Sequence, residues 1–207
     1  AVIEPNTFAI SHNTPKEPFK SLVPIQTTVI DLTQSLEQIL QQMHQKTRYN
    51  IKVAKKHNIQ IKESEDIELF YRMMHKTALR DKFAINSYKY IKTFYQTLKK
   101  QNKAQLLIAY KDQEAVSGLI LTYFHNTAIY YYGASLHEHR KYMAPYLIQW
   151  QAIQNAKAKG CTTYDFLGVT TSKNPRHQLY GVSQFKLKFK GPVLNFTNRE
   201  IIVYKPF

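Results

Sequence analysis

Gln105-Leu106-Leu107-Ile108-Ala109-Tyr110, Ala115-Val-Ser-Gly-Leu-Ile-Leu-Thr-Tyr-Phe124 and Thr127-Ala-Ile-Tyr-Tyr-Tyr-Gly-Ala134 follow one another with only Lys111-Asp112-Gln113-Glu114 and His125-Asn126 between them. Each run is rich in β-branched and aromatic residues and ends at turn-forming polar residues, so the three read as an antiparallel meander. Working outward toward the C-terminus, Ala144 to Lys159 has Leu147, Ile148, Trp150, Ile153 and Ala156 at helical spacing. Pro145 is tolerated in its first turn and Gly160 stops it. Thr163 to Val169 reads as a further strand, followed by a polar loop containing Pro175 and a last strand near Glu200 to Tyr204.

Toward the N-terminus the period becomes helical. The spacing predicts helices over 65–79, with Ile67, Phe70, Met74 and Ala78 inward, and over 87–100, with Tyr88, Ile91, Tyr95 and Leu98 inward. A short strand at Ile59 to Ile61 precedes them. Before that, Ser35 and Gln38 form a capping-box pattern opening one helix that carries Leu36, Ile39, Leu40, Met43, Thr47, Asn50 and Ala54 to Asn58. Thr27 to Leu32 reads as a strand, while Pro5, Pro15, Pro18 and Pro24 break any regular element ahead of it. The predicted class is α+β, a mixed central sheet flanked by helices.

The chain has 207 residues, with 29 Lys plus Arg against 14 Asp plus Glu, a formal charge of +15 that favours a polyanionic partner. Arg48, Lys52, Lys55 and Lys56 fall on one helical stripe, either a solvated face or a track for RNA phosphates. The single cysteine, Cys161, excludes an internal disulfide framework and a cysteine-based zinc site, and the eight histidines show no His-x-x-His spacing, so no metal is expected. No apolar run approaches the ~20 residues of a membrane helix. The expectation is a soluble, cytoplasmic protein. The abrupt apolar start at Ala1-Val2-Ile3, without Met, reads as a fragment of something longer.

Residues 181–191, Gly-Val-Ser-Gln-Phe-Lys-Leu-Lys-Phe-Lys-Gly, alternate Phe185, Leu187 and Phe189 with Lys186, Lys188 and Lys190. Read alone, this is an amphipathic strand with three solvated lysines, or a strand with one lysine aimed at a developing oxyanion.

The element order resembles the GNAT acyltransferase fold, which would imply acetyl-CoA. The turn Arg140-Lys141-Tyr142-Met143-Ala144-Pro145 lacks the glycines with which that family exposes backbone N–H groups to a pyrophosphate, and its proline supplies no donor. A CoA-dependent N-acetyltransferase is therefore disfavoured. A closer resemblance is to the FemABX family of peptidoglycan interpeptide-bridge aminoacyltransferases, built from GNAT-like domains. It rests on Lys46 to Ile51, Thr77-Ala78-Leu79-Arg80 with Phe83, and Tyr131-Tyr132-Gly133-Ala134-Ser135. Further on it rests on Met143 to Leu147 with Gln149-Trp150, on Tyr164-Asp165-Phe166-Leu167-Gly168, and on Gly181 with Phe185-Lys186.

That resemblance implies transfer of an amino acid from aminoacyl-tRNA to an amine of a lipid-linked or UDP-linked precursor, with no CoA and no metal, and peripheral contact with the inner membrane face. It implies Lys186 as the oxyanion-stabilising catalytic group and Phe185 as a contact for the tRNA acceptor end. It also implies Tyr132, Arg80 and Tyr90 as substrate contacts, with Tyr88 an alternative to Tyr90, a buried strand position the other reading of Tyr132, and an ion pair with Asp81 or a helix-end role the other reading of Arg80. Asp165 reads as a hydrogen-bond acceptor for a backbone turn, with a base as its other use. By the same resemblance, residues 1–33 are the tail of an incomplete N-terminal GNAT-like domain, 34–58 a basic connecting helix and 59–207 a C-terminal GNAT-like domain. If Lys186 acts on substrate, a cleft is expected between the 46–58 helix and the 181–191 segment. The competing reading is a non-catalytic basic module that holds RNA or an anionic envelope precursor.

Overall fold

The structure, a computed structural model, describes residues 2–3, 26–196 and 200–201. Most of the segment 1–33, and the expected last strand beyond 201, lie outside the described residues. Two short strands, β1 (Val2–Ile3) and β9 (Glu200–Ile201), pair antiparallel. The remainder is built on a seven-stranded sheet.

Its strands are β2 (Gln26–Asp31), β3 (Gln60–Ser64), β4 (Ala104–Lys111), β5 (Glu114–Phe124), β6 (Thr127–Ser135), β7 (Thr163–Asp165) and β8 (Val193–Asn195), in the order β3-β4-β5-β6-β7-β2-β8. The meander occupies β4, β5 and β6 as expected. Among the described residues six α-helices flank the sheet: α1 (Leu36–Gln42), α2 (Gln45–Lys56), α3 (Ile67–Asp81), α4 (Tyr88–Lys100), α5 (Ala144–Ala158) and α6 (Tyr180–Lys186). Alternation along β4 sends Leu107 and Ala109 to a core shared with Ile51, Trp150 and Ile153 of α2 and α5. It sends Leu106 and Ile108 to a second core shared with Phe70, Met74 and Ile91 of α3 and α4. Central β5 is covered on both faces, which is why its sequence is a nearly unbroken apolar run.

Two expectations fail. The helix predicted from Ser35 to Asn58 is two helices. The capping box at Ser35 forms, with both reciprocal bonds, but the chain leaves α1 at Met43 in an extended conformation. His44 N–H then donates to the carbonyl of Lys188 at 2.9 Å, and its imidazole accepts from Lys46 N–H to start α2. Arg48 donates to the carbonyls of Gln41 and Met43, capping the end of α1. A tertiary contact and side-chain caps thus outcompete a continuous helix whose apolar spacing was uninterrupted.

The second failure is the 181–191 strand. The segment is helical, α6 running into a 3-10 turn at Leu187–Phe189 that Lys190 closes at φ 65°. Ser183, Lys186 and Phe189 are its buried residues, spaced by three. Phe185 and Phe189 stand four apart and meet on one helical face, so that pair fits either period, whereas burial of Lys186 beside Phe189 instead of Leu187 follows the helical one.

Candidate active site

β6 and β7 are parallel neighbours only from Thr127 to Ile129, opposite Thr163 to Asp165. Beyond that point they separate. β6 continues to Ser135 with a bulge, Ile120 lying opposite Tyr132 and Leu121 opposite Tyr130, so that Tyr131 has no counterpart on β5. After Asp165 the chain turns through Leu167 (φ 54°) and Gly168 (φ 20°), while Phe166 and Val169 keep backbone bonds to β2. The result is a fork in the sheet.

Lys186 enters that fork from α6. Its Nζ donates to the carbonyls of Leu167 at 2.6 Å and Gly168 at 3.0 Å and lies 5.5 Å from the centroid of the Tyr130 ring. Only 7 % of the residue is exposed. An ammonium has three N–H donors, so one is left without a protein acceptor among the described residues. Burial pushes the lysine down from 10.5 to about 8, opposed by the charge of Asp165.

The floor and wall of the fork are polar but closed. Tyr130, its hydroxyl pushed up to about 12 by burial, shares the buried amide of Gln149 with Tyr164, which donates to Oε1 at 2.6 Å. Gly133 makes room for this arrangement, since a Cβ there would sit 1.7 Å from the Tyr130 hydroxyl. The Asp165 carboxylate accepts from the backbone N–H of Leu167 at 2.7 Å and from the Thr27 hydroxyl.

The sequence-predicted residues divide by face. Lys186 and Phe185 are on the α2/α5 side, Phe185 half-buried with ring centroids 5.0 Å from Tyr146 and 5.4 Å from Phe189. Tyr132 is on the α3/α4 side, where its hydroxyl accepts from Asn86 at 3.2 Å and its ring meets Phe94 and Tyr131. Tyr90 stands on α4 near Tyr131 and Tyr132 and is 52 % exposed. Arg80 spends its guanidinium on Asp81, bidentate at 2.7 and 2.6 Å, and on the Ser135 carbonyl at 2.8 Å. It borders a shallow cleft of about 190 Å³ with Lys76, His137 and Glu138.

Of the basic stripe, Lys52, Lys55 and Lys56 are exposed, and Arg48 is turned to the end of α1. The 181–191 segment lies directly against α2, with Lys188 O accepting from His44 N–H and the Thr47 hydroxyl. The cleft expected between them is not there, and Lys186 faces the β6/β7 fork instead. Sequence reasoning passed over Tyr130 and Thr27, which read as ordinary strand residues. At the turn starting α5, Met143 is left-handed, Pro145 lacks a donor and Tyr146 N–H bonds back to Met143.

The depressed proton affinity of Lys186 has a thermodynamic consequence. Between about pH 8 and 10.5 the unfolded chain holds a proton at this position that the folded chain has lost, so this group makes stability rise with pH across that window. Below pH 8 both states are protonated and the burial cost is fully present. Wild type is expected to gain about 3 kcal/mol relative to Lys186→Met between pH 7 and 10.5 in urea unfolding. A parallel pH dependence in the two proteins would contradict the assignment.

A family model for the FemAB family matches residues 5–115 and 97–198. This chain belongs to the FemAB family. Over 71 residues it is 32 % identical to the lipid II:glycine glycyltransferase of Staphylococcus epidermidis, a stretch that covers 34 % of this chain and 17 % of that protein. The structure of FemX superposes with a TM-score of 0.80 at 17 % identity, covering 86 % of this chain and 61 % of FemX. A predicted acetyltransferase of Clostridium acetobutylicum, solved with acetyl-CoA, shares the fold at a TM-score of 0.50 and 10 % identity, covering 72 % of this chain and 96 % of that one. The matched stretch thus spans about a sixth of the S. epidermidis glycyltransferase and less than two thirds of FemX. The FemABX resemblance and the GNAT-like α+β class expected from sequence are the family and fold found.

Proposed function

We propose that this chain transfers an amino acid from aminoacyl-tRNA to an amine in the stem peptide of a peptidoglycan precursor, the reaction that builds an interpeptide bridge. FemAB membership supports the reaction class. The observation that carries the mechanism is a buried lysine held in a sheet fork by two carbonyls, with one N–H unspent. The name of the staphylococcal relative favours a lipid-linked acceptor and glycine as the transferred residue.

In this reading the neutral acceptor amine attacks the ester carbonyl, a tetrahedral oxyanion forms, and the amine proton leaves with the ribose hydroxyl. The Leu167 and Gly168 carbonyls fix the ammonium so that its third N–H meets the oxyanion without reorganisation. The ammonium must be charged to do so, so the step dependent on it weakens as pH rises through about 8. Half-buried Phe185 would pack beside the tRNA acceptor end, and Tyr132, Tyr90 and Arg80, across the sheet from Lys186, would contact the remainder of the precursor away from the reacting amine. The proposal includes no CoA and no metal. The glycine-free turn at 140–145 speaks against the first, and aminolysis of an activated ester does not need the second. No helix among the described residues is long and apolar enough to cross a membrane. The charge of +15 favours peripheral attachment to an anionic inner membrane face, where a lipid-linked precursor would be met from the cytoplasm.

The basic stripe supplies a separate test. Lys52, Lys55 and Lys56 are exposed along α2, so changing all three to Glu is expected to weaken tRNA binding and flatten its salt dependence. Removing one lysine–phosphate pair reduces the slope of log K on log salt by about 0.7 to 0.9. An unchanged slope would place tRNA elsewhere. The reaction itself is tested by supplying charged tRNAs with lipid-linked or UDP-linked precursor. Aminoacylated precursor is expected. RNA binding without any transfer would favour the non-catalytic basic module, and tight acetyl-CoA binding would favour an acetyltransferase.

A further inference from the structure

Leu167 adopts a left-handed conformation that a branched side chain disfavours, so something must hold it. The Asp165 carboxylate does, through one oxygen that receives both the Leu167 N–H and the Thr27 hydroxyl from the adjacent strand. That turn is what aims two successive carbonyls, Leu167 and Gly168, at a single point. Lys186 Nζ occupies the point.

We propose that Asp165 is a positioning residue for Lys186, fixing the Leu167–Gly168 turn that orients the ammonium and serving as its counter-charge within the fork. This rests on the reading of Lys186 as the oxyanion-binding group. Asp165 makes no hydrogen bond or ion pair to the ammonium among the described residues: its Oδ1 accepts from Thr27 and Leu167, and it acts through the turn and through the field. Around Lys186 the ionisable neighbours are Asp165 at the end of β7 and Tyr130 on β6. Tyr130 stays neutral below about pH 12, so Asp165 is the charge that matters.

The test separates geometry from charge. Asp165→Asn keeps an oxygen for Leu167 N–H and Thr27 but removes the negative charge, whereas Asp165→Ala removes both. With 13C-labelled lysine, the Lys186 Cε resonance is assigned by its absence from Lys186→Met and followed against pH. In wild type it is expected to titrate near pH 8, and in Asp165→Asn at lower pH. Transfer by Asp165→Asn should fall at pH 7.5 and recover toward wild type at pH 6.5, where its lysine is charged again. Asp165→Ala should lose activity at both.

A Lys186 midpoint unmoved in Asp165→Asn overturns the proposal even if the variant is less stable, since a merely structural carboxylate would behave that way. If the variant does not fold, the wild-type Asp165 carboxyl resonance is read instead. An inflection at the Lys186 midpoint that vanishes in Lys186→Met supports the coupling, and a flat trace refutes it. Full transfer by Lys186→Met would remove the catalytic reading while leaving these titrations to decide the coupling on their own.

Discussion

Lys186→Met is expected to lower the rate of transfer by about 100- to 1,000-fold, with binding of charged tRNA little changed. Loss of one preorganised donor to a developing oxyanion costs about 3 kcal/mol of transition-state stabilisation. The effect should fall on kcat, since the oxyanion exists only after attack. Methionine is the informative replacement because it fills the buried stem volume beside Tyr130 without a charge. It leaves the carbonyls of Leu167 and Gly168 without their donor, a loss offset in part by no longer burying an ammonium. Stability at neutral pH is therefore expected to change by only about 1 kcal/mol, far too little to explain a hundredfold loss of turnover. Single-turnover transfer from pre-charged tRNA measures this directly, and undiminished turnover would end the catalytic assignment.

Gly191→Ala is expected to be strongly destabilising. A Cβ at this position would stand 1.9 Å from the backbone carbonyl oxygen of Val29 and 2.7 Å from its carbon. No rotamer change relieves that overlap, because β2 itself is the obstacle. Moreover, the Gly191 carbonyl receives the Thr28 hydroxyl at 3.0 Å and the next carbonyl, of Pro192, receives Val29 N–H at 3.2 Å, so a shift would break the seam joining 191–195 to β2. The expected cost is about 3 kcal/mol, at the upper end for overpacking, or roughly 10 °C in Tm. Gly181→Ala is the internal control. It lies in α6 with nothing within 4 Å of its added Cβ and should be neutral or stabilising by about 0.5–1 kcal/mol. Thermal melts of the two variants decide it, and equal behaviour would show that the seam is not where the structure puts it.

These contrasts show what the sequence made legible. The meander, α5 and the capping box at Ser35 were readable because each is written locally, in an alternation, a helical period or a reciprocal pair of side chains. The break between α1 and α2 was not, because what decides it is the carbonyl of Lys188, far along the chain. The helix at 181–191 is hidden in the sequence for a related reason: Phe185 and Phe189 suit either period, and the packing of both against Tyr146 selects the helix. At the site, motif resemblance singled out Lys186 and the Tyr164–Gly168 run. It could not show that the run's carbonyls, and not its side chains, hold the lysine. Nor could it show that Tyr132 and Arg80 stand across the sheet from it, since position on a face depends on register.

That last point turns on the bulge at Tyr131. Along an undisturbed strand Tyr130 and Tyr132 would lie on the same side. Here Ala128 and Tyr130 enter one core while Tyr132 and Ala134 enter the other. The supernumerary residue acts as a change of reading frame: upstream of it β6 is spelled for the α5 layer, downstream for the α3/α4 layer. Deleting Tyr131 would remove the bulge yet leave Tyr130 opposite Leu121 and Tyr132 opposite Ile120, on the two faces they already occupy; only a strand that kept Tyr131 in regular alternation would bring Tyr132 to the side of the fork. One backbone irregularity thereby divides a single strand's tyrosines between the lysine's chamber and the opposite surface.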